Sequence, residues 1–253
     1  GNYNLTLANN YTHAGTATFT AGTGALVAAF VGAPTTRTYT MTTTVTIPNF
    51  TLNVTGVAGS GIQLVTNGFT VNNKFVHTAG DLDLNSLQLT ISGNTYTYTA
   101  GTYTNTGGAA TGVVNLTGAD LTITAAGNPT YEHVNVNSTG TVTFASNDMT
   151  TPTARTFNVS KVFDHTKGNI VLVINDINLS AAAAAYNTVA TAGTVTGTAT
   201  GANLGEIVLT GAASVMTLAD NYSIQNLRIA GAASKADTKI LTVSHNFTLG
   251  ANF

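Results

Sequence analysis

FTVNNKFVHTAG, residues Phe69–Gly80, and FNVSKVFDHTKG, residues Phe157–Gly168, share their phenylalanines, a valine, a histidine and a closing glycine at the same spacing. Side chains alternate across an extended strand, so residues two apart face the same side. In the first segment Phe69, Val71, Phe75 and His77 share one parity, with Asn73 between them. Thr70, Asn72, Lys74 and Thr78 take the other. An apolar pair, a polar interruption and a second aromatic pair describe two short strands joined at a corner. Asn72 and Asn73 are expected to supply the left-handed backbone that a corner needs.

Further copies lie at Leu5–Gly15 (LTLANNYTHAG) and Leu241–Gly250 (LTVSHNFTLG), with a looser one at Leu89–Gly101 (LTISGNTYTYTAG). The lead-ins match as well: Ala33–Met41 (APTTRTYTM) resembles Thr151–Val159 (TPTARTFNV), and Lys239 stands where Arg155 does. The main copies begin at 5, 69, 157 and 241, spaced by 64, 88 and 84 residues, so each unit holds several strands and internal turns divide it further. Stacked units of strand, corner, strand and glycine turn predict an all-β chain coiled as a β-solenoid, parallel β-helix-like, with irregular repeats. In such a coil each rung buries its apolar face only against its neighbours. The whole of 1–253 then forms a single elongated domain. The alternative is a pilin-like β-sandwich with strand donation, since short strands with turn signals fit that fold too. Between Ala181 and Gly201 no unit aligns, and the coil is expected to break there. Ser180–Tyr186 (SAAAAAY) is too short for a structural helix and reads as a loop or single turn.

Composition narrows the functions. Only 7% of the 253 residues are charged, and the formal charge is −2 with eight Lys and Arg. Such a chain has no electrostatic footprint for nucleic acid. There are no cysteines, which excludes disulfides, thiolate metal sites and cysteine nucleophiles. No run of 18 apolar residues exists to span a membrane as a helix.

The segments Gln63–Asn94 and Phe19–Gly32 resemble the Thr/Asn/Gly-rich repeats of large exported bacterial surface proteins, which carry patterns such as NGNFTHTGGTLDLNGNTLTISGN. The similarity covers about half the chain and is best between Phe19 and Gly101. It implies a β-solenoid placed outside the cell, at the cell surface, in an adhesin, stalk or surface layer.

Candidate site residues are few. His13, His77 and His165 hold one repeat position, with His245 and His133 apart. A stacked imidazole ladder could bind a metal, but each histidine is expected to end a strand and hydrogen-bond a turn. Asp81 and Asp83 share a face and with Asn85 are the weak candidates for a cation site, although a solvated strand face is the preferred reading. Tyr96 and Tyr98 share a parity and could form an exposed sugar-binding stripe, against inward packing or a subunit contact. No catalytic motif is present, no cofactor is implied, and no metal site is assigned. Ten Asn-x-Ser/Thr sequons, at Asn4, Asn10, Asn49, Asn53, Asn115, Asn137, Asn158, Asn178, Asn221 and Asn246, are candidate glycosylation sites.

Both ends fall within copies of the repeat and no polar cap segment is visible. Uncapped strands invite another chain, so the expected partner is a further copy of the protein, joined head to tail through Leu5, Leu7, Tyr11, Leu241, Val243, Phe247 and Phe253. The expected function is a non-enzymatic structural subunit of a cell-surface filament or fibre. Alternatives are an adhesin or carbohydrate-binding stalk, with surface glycans as partners, and thirdly a β-helical polysaccharide-degrading enzyme with acids and bases gathered in one groove.

Overall fold

The computed structural model describes all residues except 1–2, 16–18, 20–22, 33–34, 109–111, 147–152, 190, 198–203 and 251–253. The described residues form 25 strands and no helix. They wind as parallel stacked coils of about nine turns. Every strand pairing is parallel, which excludes the sandwich.

Three columns of aligned residues make the three faces. Face A runs through Val45, Phe69, Leu89, Val114, Val134, Phe163, Tyr186 and Met216. Face B runs through Leu5, Leu26, Phe50, Phe75, Tyr96, Ile123 and Phe144, and continues from Ile170 through Val195 and Ile224 to Val243. Face C carries Tyr11, Tyr39 and Leu64, then Leu82 and Tyr103. Beyond these it carries Phe157, Ile177, Ile207, Leu227 and Phe247. Coil-to-coil steps range from 19 residues, Tyr222 to Leu241, to 30, Tyr186 to Met216, so the long repeat spacings do span several turns.

Within each copy the parity is as expected: Phe69, Val71, Phe75 and His77 all point into the core. The copies nevertheless do not occupy one place in the coil. Phe69–Ala79 passes from face A to face B, whereas the strand Thr156–Val171 passes from face C to face A and on to B. Leu5–His13 and Leu241–Leu249 both pass from face B to face C. The repeated sequence therefore encodes a corner, and the same corner serves all three edges of the coil.

The backbone reason differs from the expectation. Asn72 and Asn73 do not adopt positive φ; the left-handed position is the closing glycine, at φ 94° in Gly80, 110° in Gly101 and 88° in Gly168. A Cβ on Gly101 would also lie 2.2 Å from the Gly80 carbonyl oxygen and 2.4 Å from His77 Nε2, so only glycine fits. The corner asparagines instead bond along the stack. Asn73 Nδ2 donates to Asn49 Oδ1 (2.7 Å), and Asn49 Nδ2 donates to the Gly24 carbonyl (2.9 Å).

The predicted break between Ala181 and Gly201 is also corrected. Ser180–Ala184 is a turn, but Ala185–Thr188 pairs with Val162–His165 on one side and Val215–Thr217 on the other. Ala192–Thr196 continues face B. Inward Ala184, Tyr186 and Val195 are buried there, so a rung of small residues still covers its neighbours.

Candidate functional sites

Asp81, Asp83 and Asn85 do not form a cation site. Asp83 is buried, and both of its oxygens are filled by donors from the adjacent coils and from its own turn. Oδ2 accepts from Gln63 Nε2 (2.7 Å) and Thr106 Oγ1; Oδ1 accepts from the N–H groups of Thr106 (3.0 Å) and Asn85 (2.9 Å). Asp81 accepts from Thr102 Oγ1, and Asn85 Nδ2 donates to the Leu64 carbonyl (3.0 Å). Burial alone would push the Asp83 pKa up; the four hydrogen bonds outweigh it and hold the carboxyl below its ordinary range. Asp83 is thus a clasp over three coils rather than the solvated face expected of it. Asp83→Ala is expected to destabilise the protein by about 2 kcal/mol by orphaning these donors, a drop that urea unfolding followed by circular dichroism would measure.

The histidine reading holds at two positions. His77 Nε2 donates to the Gly80 carbonyl (2.8 Å), His165 Nε2 to that of Gly168 (2.7 Å), and both rings are fully buried. Tyr98 holds the equivalent place in its copy and donates through its hydroxyl to Gly101 (2.6 Å). With Nε2 protonated, His165 Nδ1 accepts from the Tyr222 hydroxyl, which in turn bonds Tyr186 (2.8 Å). His13 lies on face C, away from the other two columns, and His245 is exposed, so no imidazole ladder exists. Among the described residues no three of His, Asp and Glu converge to hold a metal ion.

Tyr96 and Tyr98 point inward, 0% and 3% exposed, and offer no stripe for a sugar. Tyr96 instead bonds the hydroxyls of Tyr103 and Tyr131 inside the core. An open groove of about 280 Å³ beside Thr44, Asn67, Thr70, Ser86, Gln88 and Thr90 presents hydroxyls and amides without an exposed ring.

Among the described residues, charged side chains pair across coils at two places that sequence reading passed over. His133 Nε2 meets Asp164 Oδ2 (2.8 Å), Asn187 Nδ2 donates to Asp164 Oδ1 (2.9 Å), and Lys161 pairs with Glu132 (2.6 Å). Further along, Arg228 bridges Glu206 (2.8 Å) and Asp176 (3.5 Å). These groups pair with one another across coils. The cavity beside Glu132, His133 and Lys161 measures about 10 Å³, room for one water and not for a sugar ring. What could have flagged them is their spacing by one coil, visible only once the coil length is known.

The sequons separate by exposure. Asn4, Asn10, Asn137 and Asn221 are exposed and Asn53 half-buried. Asn49, Asn115, Asn158, Asn178 and Asn246 belong to amide ladders, as in Asn115 to Gln88 (3.1 Å), Asn178 to Asn158 (3.0 Å) and Asn246 to Asn226 (3.2 Å). A glycan on the laddered nitrogens would break the stack.

Among the described residues, Leu5–Leu7 pairs only with Leu26–Ala28, Tyr11–His13 only with Thr36–Met41, and Leu241–Leu249 only with Tyr222–Ile229. Of the nine exposed large apolar side chains among the described residues, five lie on or beside these strands: Tyr3 and Leu5 in the first coil, Ile240, Phe247 and Leu249 in the last one described. Leu7, Tyr11, Leu241 and Val243 are half-buried beside them, and Phe253 lies outside the described residues. No described helix is long and apolar enough to cross a membrane. No family model, curated protein or solved structure matches the chain.

Proposed function

We propose that this protein is a structural, non-enzymatic β-solenoid that builds a cell-surface filament or fibre by end-to-end association with further copies of itself. The supporting observation is the stack itself: every pairing is parallel and runs from coil to coil, and among the described residues the strands Leu5–Leu7 and Leu241–Leu249 are paired on one side and carry exposed apolar side chains. An unpaired parallel edge carries a row of free N–H and C=O groups and templates another strand. A contact between unlike ends is heterologous, and one that does not close extends into a filament. Low charge favours close packing of copies, because little repulsion opposes it. Placement outside the cell rests on the likeness of the coils to repeats of exported surface proteins.

Electron microscopy and sedimentation test this reading. Purified protein at high concentration is expected to form rods one solenoid wide. Phe247→Asp is expected to leave discrete monomers with unchanged circular dichroism, since Phe247 is 54% exposed in the protomer. Monodisperse wild-type particles at every concentration would sink the proposal.

A further inference from the structure

The geometry points to a binding site for a neutral sugar, one or two rings of a glycan, in the open groove on the edge between faces C and A, where hydroxyls and amides hold the ligand in place of an aromatic platform. The site does not depend on how copies of the protein associate.

Three successive coils build its floor. They cross from face C to face A with five or six residues between aligned positions, from Thr38 to Val45, from Gln63 to Phe69 and from Asp83 to Leu89. The next coil takes nine, 105–113, between Thr104 and Val114. Its Gly107 comes up against the groove, where a Cβ would lie 2.2 Å from Ser86 Oγ. Three tight corners beside a longer one leave a hollow of about 280 Å³, near the lower end of the volumes that small ligands fill. The floor runs over two coil steps of about 4.8 Å each, a length suited to one or two rings.

The lining selects the class of ligand. Thr44, Thr70 and Thr90 present hydroxyls, the last two one coil apart in a single outward column. Asn67 Nδ2 donates to the Met41 carbonyl (2.8 Å), which leaves its Oδ1 as an acceptor, and Gln88 Oε1 accepts from Asn115 Nδ2 (3.1 Å), which leaves its Nε2 as a donor. Leu87, half-buried, adds apolar contact for the C–H face of a ring. None of the described residues that line the groove is charged, so nothing there compensates an ionic group for lost water. Donors and acceptors alternating around an uncharged hollow complement a polyol, whose hydroxyls do both.

The backbone supports the site independently. Four described residues other than glycine have positive φ, and three of them, Thr66 (76°), Asn85 (46°) and Ser86 (65°), lie in the two turns that border the groove. Elsewhere the coil gives such positions to glycine, as at Gly80, Gly101 and Gly168. A side chain held left-handed carries strain that glycine would avoid, and strain of this kind concentrates at ligand sites. Here it keeps the Ser86 side chain on the groove wall.

Equilibrium dialysis of the whole chain against radiolabelled maltose, cellobiose and lactose tests the site, because it reads binding in any state of assembly. At least one of the three is expected to bind saturably with a Kd of about 1 mM, the strength of a few solvent-open hydrogen bonds. The Thr70→Val, Thr90→Val double variant keeps the β-branched shape and removes both hydroxyls; it should bind that sugar about tenfold more weakly with unchanged circular dichroism. The Thr70→Ser, Thr90→Ser double variant should recover the affinity to within about threefold. Thr97→Val and Thr124→Val, outward on face B, should change nothing. No saturable binding of any of the three sugars, or binding that the valine double variant leaves intact, would overturn the site. Tighter binding of digalacturonate than of every neutral sugar would overturn the neutral class of its ligand.

Discussion

Lowering the pH from 7 to 4 is expected to remove about 6 kcal/mol of stability, about 3 kcal/mol from each of His77 and His165. Both rings are fully buried, and burial is the main influence, pulling each pKa from 6.5 to about 4 against the opposing hydrogen bonds to Gly80 and Gly168. Asp81 also favours the charged form of His77, without reversing the shift. The sign follows from which state binds the proton. Above pH 6.5 both folded and unfolded histidines are neutral and nothing is lost. Between 6.5 and 4 the unfolded chain takes up protons that the folded chain refuses, so stability falls by about 1.4 kcal/mol per pH unit for each ring.

The carboxylates act elsewhere on the pH scale. Asp83 and Asp164 are held below the ordinary carboxylate range by their hydrogen bonds, so their losses come at lower pH. Asp176, raised chiefly by burial, acts in the opposite sense as it protonates. Urea midpoints at pH 7.5, 6 and 4.5 would trace the histidine slope, and the His77→Gln, His165→Gln double variant should flatten it. Equal wild-type midpoints at pH 7.5 and 4.5 would refute the assignment.

The same two histidines mark how far the sequence could be read. Parity, the corner and the glycine that closes it are local, so Phe69–Gly80 and Phe157–Gly168 disclosed a coil built of turning strands. Which face each strand occupies is not local. It depends on how many residues separate successive corners, and steps of 19 to 30 residues hide that count. Tyr96 and Tyr98 illustrate the ambiguity: their shared parity was legible, but Thr95 and Thr97 suit the opposite side equally well on composition, and only the stack decides that the rings go inward. Asp83 looked solvated because its covering donors, Gln63 and Thr106, lie 20 and 23 residues away on adjacent coils. The rung at Ala185–Thr188 was missed because alanines supply alternation without a visible apolar signal.

Phe75→Ala is expected to cost about 3–5 kcal/mol, the range for truncating a buried phenylalanine. Phe75 has no exposed surface and sits in the middle of a column on face B, its ring centroid 5.8 Å from that of Phe50 and 5.0 Å from that of Tyr96. Those two rings belong to the coils before and after, so removing the middle one opens a gap that the backbone ladder prevents from closing. In a stack where each coil touches only its neighbours, damage of this kind stays near its source. Hydrogen exchange should therefore accelerate in the amides of Val45–Asn53, Phe69–Ala79 and Thr95–Tyr98 while those of Asp176–Leu179 and Ile207–Leu209 keep their protection. Phe247→Ala supplies the contrast: the ring is half exposed, and its removal should barely move the monomer's unfolding midpoint. A uniform loss of protection over the whole chain, or a Phe75→Ala penalty no larger than that of Phe247→Ala, would contradict a core built coil upon coil.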